Sequence, residues 1–169
     1  MQRSWSERPR IAAGMLLATL LLTGGQALAM PSLEYERTRL QTSLYTTHFS
    51  PRDDHNNQQD LIGVEVHDSA RWFAGTAWFK NSFDQPTWYF YAGREFPFWQ
   101  PSDTLEVRGK LTGGLIRGYK GEFRDKIPFN RYGIAPALLP SVGVRWERLD
   151  ADLIVFGTAG AMVTLGVSF

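Results

Sequence analysis

Residues 160–169 read Gly-Ala-Met-Val-Thr-Leu-Gly-Val-Ser-Phe, and they alternate strictly. Ala161, Val163, Leu165, Val167 and Phe169 form one set; Gly160, Met162, Thr164, Gly166 and Ser168 form the other. A period of two is the signature of a β-strand. A bulky apolar face suits lipid, and a small opposite face suits a narrow lumen. The run therefore predicts a transmembrane β-barrel with its last strand at the C-terminus.

Working backwards, similar short segments alternate with turn residues. They predict strands at 38–48, 60–67, 70–80, 87–98, 104–117, 132–146, 149–157 and 160–169. The fold expected is all-β: an eight-stranded antiparallel up-and-down transmembrane barrel over 38–169. At most one short helical turn is expected before it, in residues 30–37, where PSLEYER is weakly amphipathic. Connections at 67–69, 99–103 and 147–150 are short. Those at 49–59, 81–86 and 118–131 are longer, with a tight turn at 157–159. Short periplasmic turns and long outer loops are the pattern of outer-membrane barrels. Eight strands leave room for side chains or one small ligand, and no open channel.

The first 29 residues read differently. Arg3, Arg8 and Arg10 precede the apolar run 11–22, and Ala27-Leu28-Ala29 follows as a small-residue cleavage site. That order predicts an export signal peptide over 1–29. The apolar run is short for a spanning helix. Cysteine is absent, so no disulfide holds the domain together. A net charge of +1 gives no basic footprint for nucleic acid. Aromatic residues make up 14% of the chain, which suits interfacial girdles.

The predicted lumen faces divide into two halves. Glu65, Glu95, Glu106, Asp150 and Asp152 gather toward one end with Arg108, Lys110 and Arg145. Buried charges have to be paired, so this half reads as a plug. Toward the other end the lumen carries Gly, Tyr, Phe and Ile. It suits either a hydrocarbon chain or ordinary barrel packing. Arg94 falls on the predicted lipid face, where a local bulge or a different register is needed to accommodate it. Pro136 and Pro140 lie within a predicted strand, and proline donates no ladder hydrogen bond. A pairing gap beside them is expected.

His48 ends the first strand, in Thr-Thr-His-Phe-Ser-Pro, and Asn81-Ser82 ends the third, in Trp-Phe-Lys-Asn-Ser-Phe. Both strands point outward, which places a base and a hydroxyl at the same rim. That is the minimum for base-assisted acyl transfer. It is also a combination that a rim histidine and a loop serine produce without function.

In order and spacing, these segments resemble the lipid A palmitoyltransferases of the PagP type. The resemblance covers most of 38–169. It rests on the histidine ending the first strand and on Phe79-Lys80-Asn81-Ser82-Phe83, which is similar to the family's F-K-D-S-W. It also rests on Ala92-Gly93, on Leu111-Thr112-Gly113-Gly114, and on Ile127-Pro128 followed by Leu138-Leu139-Pro140-Ser141-Val142-Gly143. The terminal Phe169 resembles the signal read by the barrel assembly machinery. The resemblance implies an outer-membrane enzyme that faces the outer leaflet and moves a palmitoyl-type chain from a glycerophospholipid donor to lipid A. It implies catalytic roles for His48, Ser82 and Asn81, an acyl-pocket floor at Gly93, and a lateral gate at Pro136 and Pro140. The basic loop 117–131, with Lys120, Arg124 and Lys126, reads either as a solvated outer loop or as a contact for lipid A phosphates. No metal or cofactor is implied, and a monomer among outer-membrane lipids is expected, with no nucleic-acid partner. The chain departs from the family where Asn81 replaces an acidic residue, since an amide orients a neighbour but takes no proton. A non-catalytic lipid- or solute-binding barrel, or a lipid hydrolase built on the same residues, are the alternatives.

Overall fold

The computed structural model describes residues 30–50 and 56–169. The expected export signal at 1–29 and part of the loop 49–59 lie outside the described residues. Eight strands follow one another: β1 (Tyr35–His48), β2 (Ile62–Asp68), β3 (Trp72–Lys80), β4 (Pro86–Ser102), β5 (Leu105–Arg117), β6 (Ile134–Trp146), β7 (Leu149–Val155) and β8 (Gly160–Ser168). Each pairs antiparallel with its neighbour, and β8 returns to β1, closing the barrel. Every one of these strands has a hydrogen-bonded neighbour on both sides along at least part of its length. One 3-10 helix, Gly121–Lys126, interrupts the loop after β5. Among the described residues, no helix is long and apolar enough to cross a membrane, which says nothing against crossing by strands.

At most one helical turn is expected in 30–37, and none forms there: β1 begins at Tyr35. Tyr35 already pairs with Asp68, and Ser32 N–H donates to Asp68 Oδ2 at 2.8 Å. Asp68 Oδ1 accepts from Trp72 N–H at 2.8 Å as well. One carboxylate thus organises the β2–β3 turn and ties the N-terminal segment to it, and this tertiary bond outweighs a weak local preference. β4 runs on to Ser102, so the expected 99–103 connection shrinks to two residues.

The outside of the barrel is apolar. Leu40, Ile62, Val66, Phe90, Leu115, Leu138, Val142, Leu153 and Leu165 are all exposed there. Tyr35, Phe98, Trp99 and Trp146 sit toward the end where β1 begins and β8 finishes, and Tyr45, Trp88 and Phe129 toward the other. An apolar belt of this extent is a surface built for lipid rather than water.

The lumen is filled at the terminal end by charge. Arg39, Glu65, Glu95, Arg108 and Asp152 are buried completely or nearly so. Arg145 Nη2 reaches Glu95 at 2.7 Å, Arg39 Nη2 reaches Asp152 at 2.8 Å, and Lys110 Nζ reaches Glu65 at 2.9 Å. Arg108 bridges Glu95, Asp150 and Asp152. The network contains every acid and base expected from sequence and adds Arg37, Arg39, Arg71 and His67. Two glycines make room for it. A Cβ at Gly143 would strike the Asp152 carboxylate, and one at Gly166 would strike the Arg39 guanidinium.

Arg94 needs neither a bulge nor a shifted register. It pairs in sequence with Trp72 and Leu111 and points to the outer side. Its guanidinium lies 5.5 Å from the Trp72 ring centroid and 5.6 Å from that of Phe96, so two aromatic faces shield the charge.

Glu95 is the acid shared by Arg37, Arg108 and Arg145. Glu95→Gln leaves those cations with too little compensation, so a loss of about 3–5 kcal/mol is expected. Urea unfolding of the barrel in lipid vesicles, followed by tryptophan fluorescence, measures it. An unchanged midpoint would remove the network from the list of what holds the barrel together.

Candidate functional site

Above the charge network the lumen opens into a cavity of about 440 Å³. Leu61, Ala77, Phe79, Tyr89, Ile116, Leu139, Ile154, Phe156 and Met162 form its apolar wall. Gln41, Tyr91, Lys110 and Asp152 lie at its floor, where the charge network begins. These floor groups are paired: Gln41 Nε2 donates to Tyr91 Oη at 2.7 Å, and Tyr91 Oη donates to Glu65 Oε1 at 3.0 Å. The cavity is therefore an apolar tube closed by a satisfied polar plate. Its mouth carries His48, Ser82, Tyr119, Lys126 and Phe129.

A β-bulge delivers His48 to that mouth. Along β1, Arg39 and Gln41 face the lumen, so uninterrupted alternation would send His48 outward. The pairing with β8 shifts between Ser43 and Tyr45, where two residues of β1 advance against one of β8. Leu44 and Tyr45 both face outside, and Thr46 and His48 then turn inward. His48 Nε2 lies 2.7 Å from Ser82 Oγ. Its Nδ1 lies 2.8 Å from Asn57 Oδ1. The base and hydroxyl expected from sequence meet, and Asn57 joins them.

Asn81 takes a different place from the one its position beside Ser82 implies. It is buried, and its Oδ1 accepts from the N–H groups of Phe83 at 2.9 Å and Gln85 at 3.1 Å. Its backbone N–H donates to Gln85 C=O at 3.0 Å. The side chain thus shapes the turn that holds Ser82, in the manner of an Asx-turn. Tyr119 lies against Ser82, and burial pushes its phenol above the usual range, an effect that its contact with Ser82 opposes. Phe83 stacks on Phe123 at 4.2 Å between ring centroids, so the 3-10 helix packs onto the Ser82 turn. Lys126 reaches the mouth, while Lys120 and Arg124, in the same loop between β5 and β6, lie away from the cavity lining. Asn57 and Tyr119 carried no sequence signal. One sits in a polar loop run, Asn56-Asn57-Gln58-Gln59, and the other follows a strand end.

Gly93 lies beneath the cavity rather than at its floor. The Phe73 ring occupies the lumen beside it: a Cβ on Gly93 would come within 2.6 Å of that ring and 2.6 Å of Leu111 C=O. Phe73 itself is buried and stacks on His67 at 4.7 Å. Along β4 the residue that meets the cavity floor is Tyr91, two positions before Gly93.

The wall is incomplete in two places near the mouth. The β5–β6 ladder runs unbroken past Pro136 and Pro140. The β6–β7 ladder begins only at Ser141, so β6 from Ile134 to Pro140 has no β7 partner. On the far side, the β1–β2 ladder stops at Thr42, and the upper part of β1 pairs with β8 alone. The first seam is where the prolines predicted a gap; the second had no sequence signal.

No protein-family model matches the chain. No curated protein matches it either. Among solved structures, it is similar to the outer membrane protein Ail of Yersinia pestis, whose backbone structure was obtained in a phospholipid bilayer nanodisc. The TM-score is 0.40 and the identity 13%, over 79% of this chain and 99% of that one. The closed eight-stranded fold stands on this chain's own strand pairing.

Because Gly93 faces the Phe73 ring and a backbone carbonyl, Gly93→Ala should act on the fold. A loss of about 1–3 kcal/mol is expected from overpacking, read as a lowered urea midpoint in the same vesicle assay. A stable Gly93→Ala protein with a smaller cavity would instead return Gly93 to the floor.

Proposed function

We propose that this chain is an outer-membrane acyltransferase that moves a fatty acyl chain from a glycerophospholipid to lipid A. The observation that carries the reading is His48 Nε2 at 2.7 Å from Ser82 Oγ, at the mouth of an apolar cavity. The apolar belt supports a membrane setting, and the resemblance to the PagP-type enzymes in motif order supports the chemistry.

In this reading the donor lipid enters through a seam in the wall. The β6–β7 seam beside Pro136 and Pro140 is the lateral gate. Its acyl chain fills the apolar tube above Tyr91, with the ester at the mouth. His48 Nε2 takes the proton of the attacking hydroxyl as that oxygen bonds to the acyl carbon. The bond from the acyl carbon to the glycerol oxygen breaks, and the imidazolium returns the proton to the leaving oxygen. One ester replaces another, with no redox partner required. Ser82 holds the base in register at the reacting atoms, and Asn81 shapes its turn. Lys126 at the mouth, with Lys120 and Arg124 on the same outer loop, supplies cations for the phosphates of lipid A.

Mass spectrometry of lipid A tests this directly, in cells that express the chain and in cells that lack it. A gain of one acyl mass that disappears in both His48→Ala and Ser82→Ala is expected. Each substitution should lower transfer at least about a hundredfold, the scale of general-base catalysis. An unchanged lipid A profile on robust expression would favour a non-catalytic binding barrel. Free fatty acid released without lipid A acylation would favour a hydrolase.

A further inference from the structure

We infer that Asn57 is a positioning residue for the His48 base, a role that rests on the proposed reading of His48. The Asn57 Oδ1 to His48 Nδ1 distance is 2.8 Å, and the opposite ring nitrogen faces Ser82. A carboxamide oxygen only accepts hydrogen bonds. Nδ1 therefore carries the hydrogen and donates it to Asn57. Nε2 is left with a lone pair, and the Ser82 hydroxyl donates to it. That is the tautomer a base needs in order to take a proton on the Ser82 side. When Nε2 is protonated, Nδ1–H still donates to Asn57, so the ring keeps its orientation through the transfer.

The surroundings of Asn57 fit this task. Asn56 N–H donates to Ser82 C=O at 2.8 Å, and Lys80 N–H donates to Gln59 C=O at 2.8 Å. The segment around Asn57 is thus tied by its backbone to the strand end that carries Ser82. Asn56 Oδ1 accepts from Gln58 N–H at 2.8 Å, and Gln59 Nε2 donates to Asn56 C=O at 2.7 Å, which fixes the turn internally. Among the described residues, backbone pairing between β2 and the strand that carries His48 stops at Thr42. Side-chain bonds cross that seam instead: His48 to Asn57, and Leu61 N–H to Ser43 Oγ at 3.0 Å. Asn57 consequently sets the angle of the imidazole relative to Ser82 across a stretch where backbone pairing cannot. Asn81, the residue next to Ser82, has its carboxamide oxygen committed to Phe83 and Gln85.

The test uses the full barrel in bilayer nanodiscs with nitrogen-15 in histidine, and the His48 signal is assigned by its loss in His48→Ala. The wild type should hold the Nδ1–H tautomer. Asn57→Leu should lose it, and Asn57→Asp, which keeps an acceptor at the same place, should restore it. In the lipid A assay, Asn57→Leu should lower kcat roughly tenfold to a hundredfold with KM little changed, and Asn57→Asp should recover most of the loss. A wild-type Nε2–H tautomer, or an Asn57→Leu protein with an unaltered tautomer, overturns the inference whatever the activity. Full activity in Asn57→Leu, with His48→Ala inactive, overturns it while the acyltransferase reading stands. If His48→Ala and Ser82→Ala both keep full activity, that reading falls, and the tautomer still decides the place of Asn57.

Discussion

Closing a sheet at eight strands leaves a lumen that must be filled, and charge fills the terminal half of this one. The network around Glu65, Glu95, Arg108 and Asp152 is held by mutual pairing, because no member is tolerable alone in a dry interior. Much else depends on that plug. It prevents a through-channel, so the barrel is a cup rather than a pore. It requires Gly143 and Gly166 on the neighbouring strands, where side chains would collide with the charged groups. It also provides the polar plate, ending at Tyr91 and Gln41, on which the apolar cavity rests.

The mouth depends on the opposite principle. Here the ladders are deliberately short: β7 ends at Val155 while β6 continues to Ile134, and β2 begins only opposite Thr42. Incomplete pairing costs backbone hydrogen bonds, and side chains replace some of them. The same incompleteness brings loop residues against strand ends. Asn57 and the Ser82 turn approach His48 from the far side of such a seam. The rim therefore combines a rigid strand, a bulge and two loop turns within one hydrogen-bond chain.

Much of this was legible in the chain itself. Period-two alternation located all eight strands, with boundaries displaced by a few residues at most. The charged and apolar halves of the lumen followed from the same alternation, since strands that face one interior must agree about its polarity. His48 and Ser82 were legible as strand-end residues at one rim. The proline pair marked the β6 flank where pairing stops. By contrast, Asn81 looked like a partner for the base because it precedes Ser82, yet its carboxamide shapes the turn. Gly93 looked like a floor because glycine leaves space, yet Phe73 from the neighbouring strand fills that space.

Alternating apolar and small residues determined, by themselves, that this chain forms a narrow closed barrel, because only closure satisfies every backbone group in lipid. Opposed charges on inward positions determined that one half of the lumen is a plug. Tertiary structure alone decided which groups meet at the mouth. The bulge at Leu44 inverts the facing of everything beyond it, and no local propensity marks it. The loop turn that sets Asn57 beside His48 is held by backbone bonds to residues more than twenty positions away in sequence, and those contacts exist only once β2 and β3 have paired.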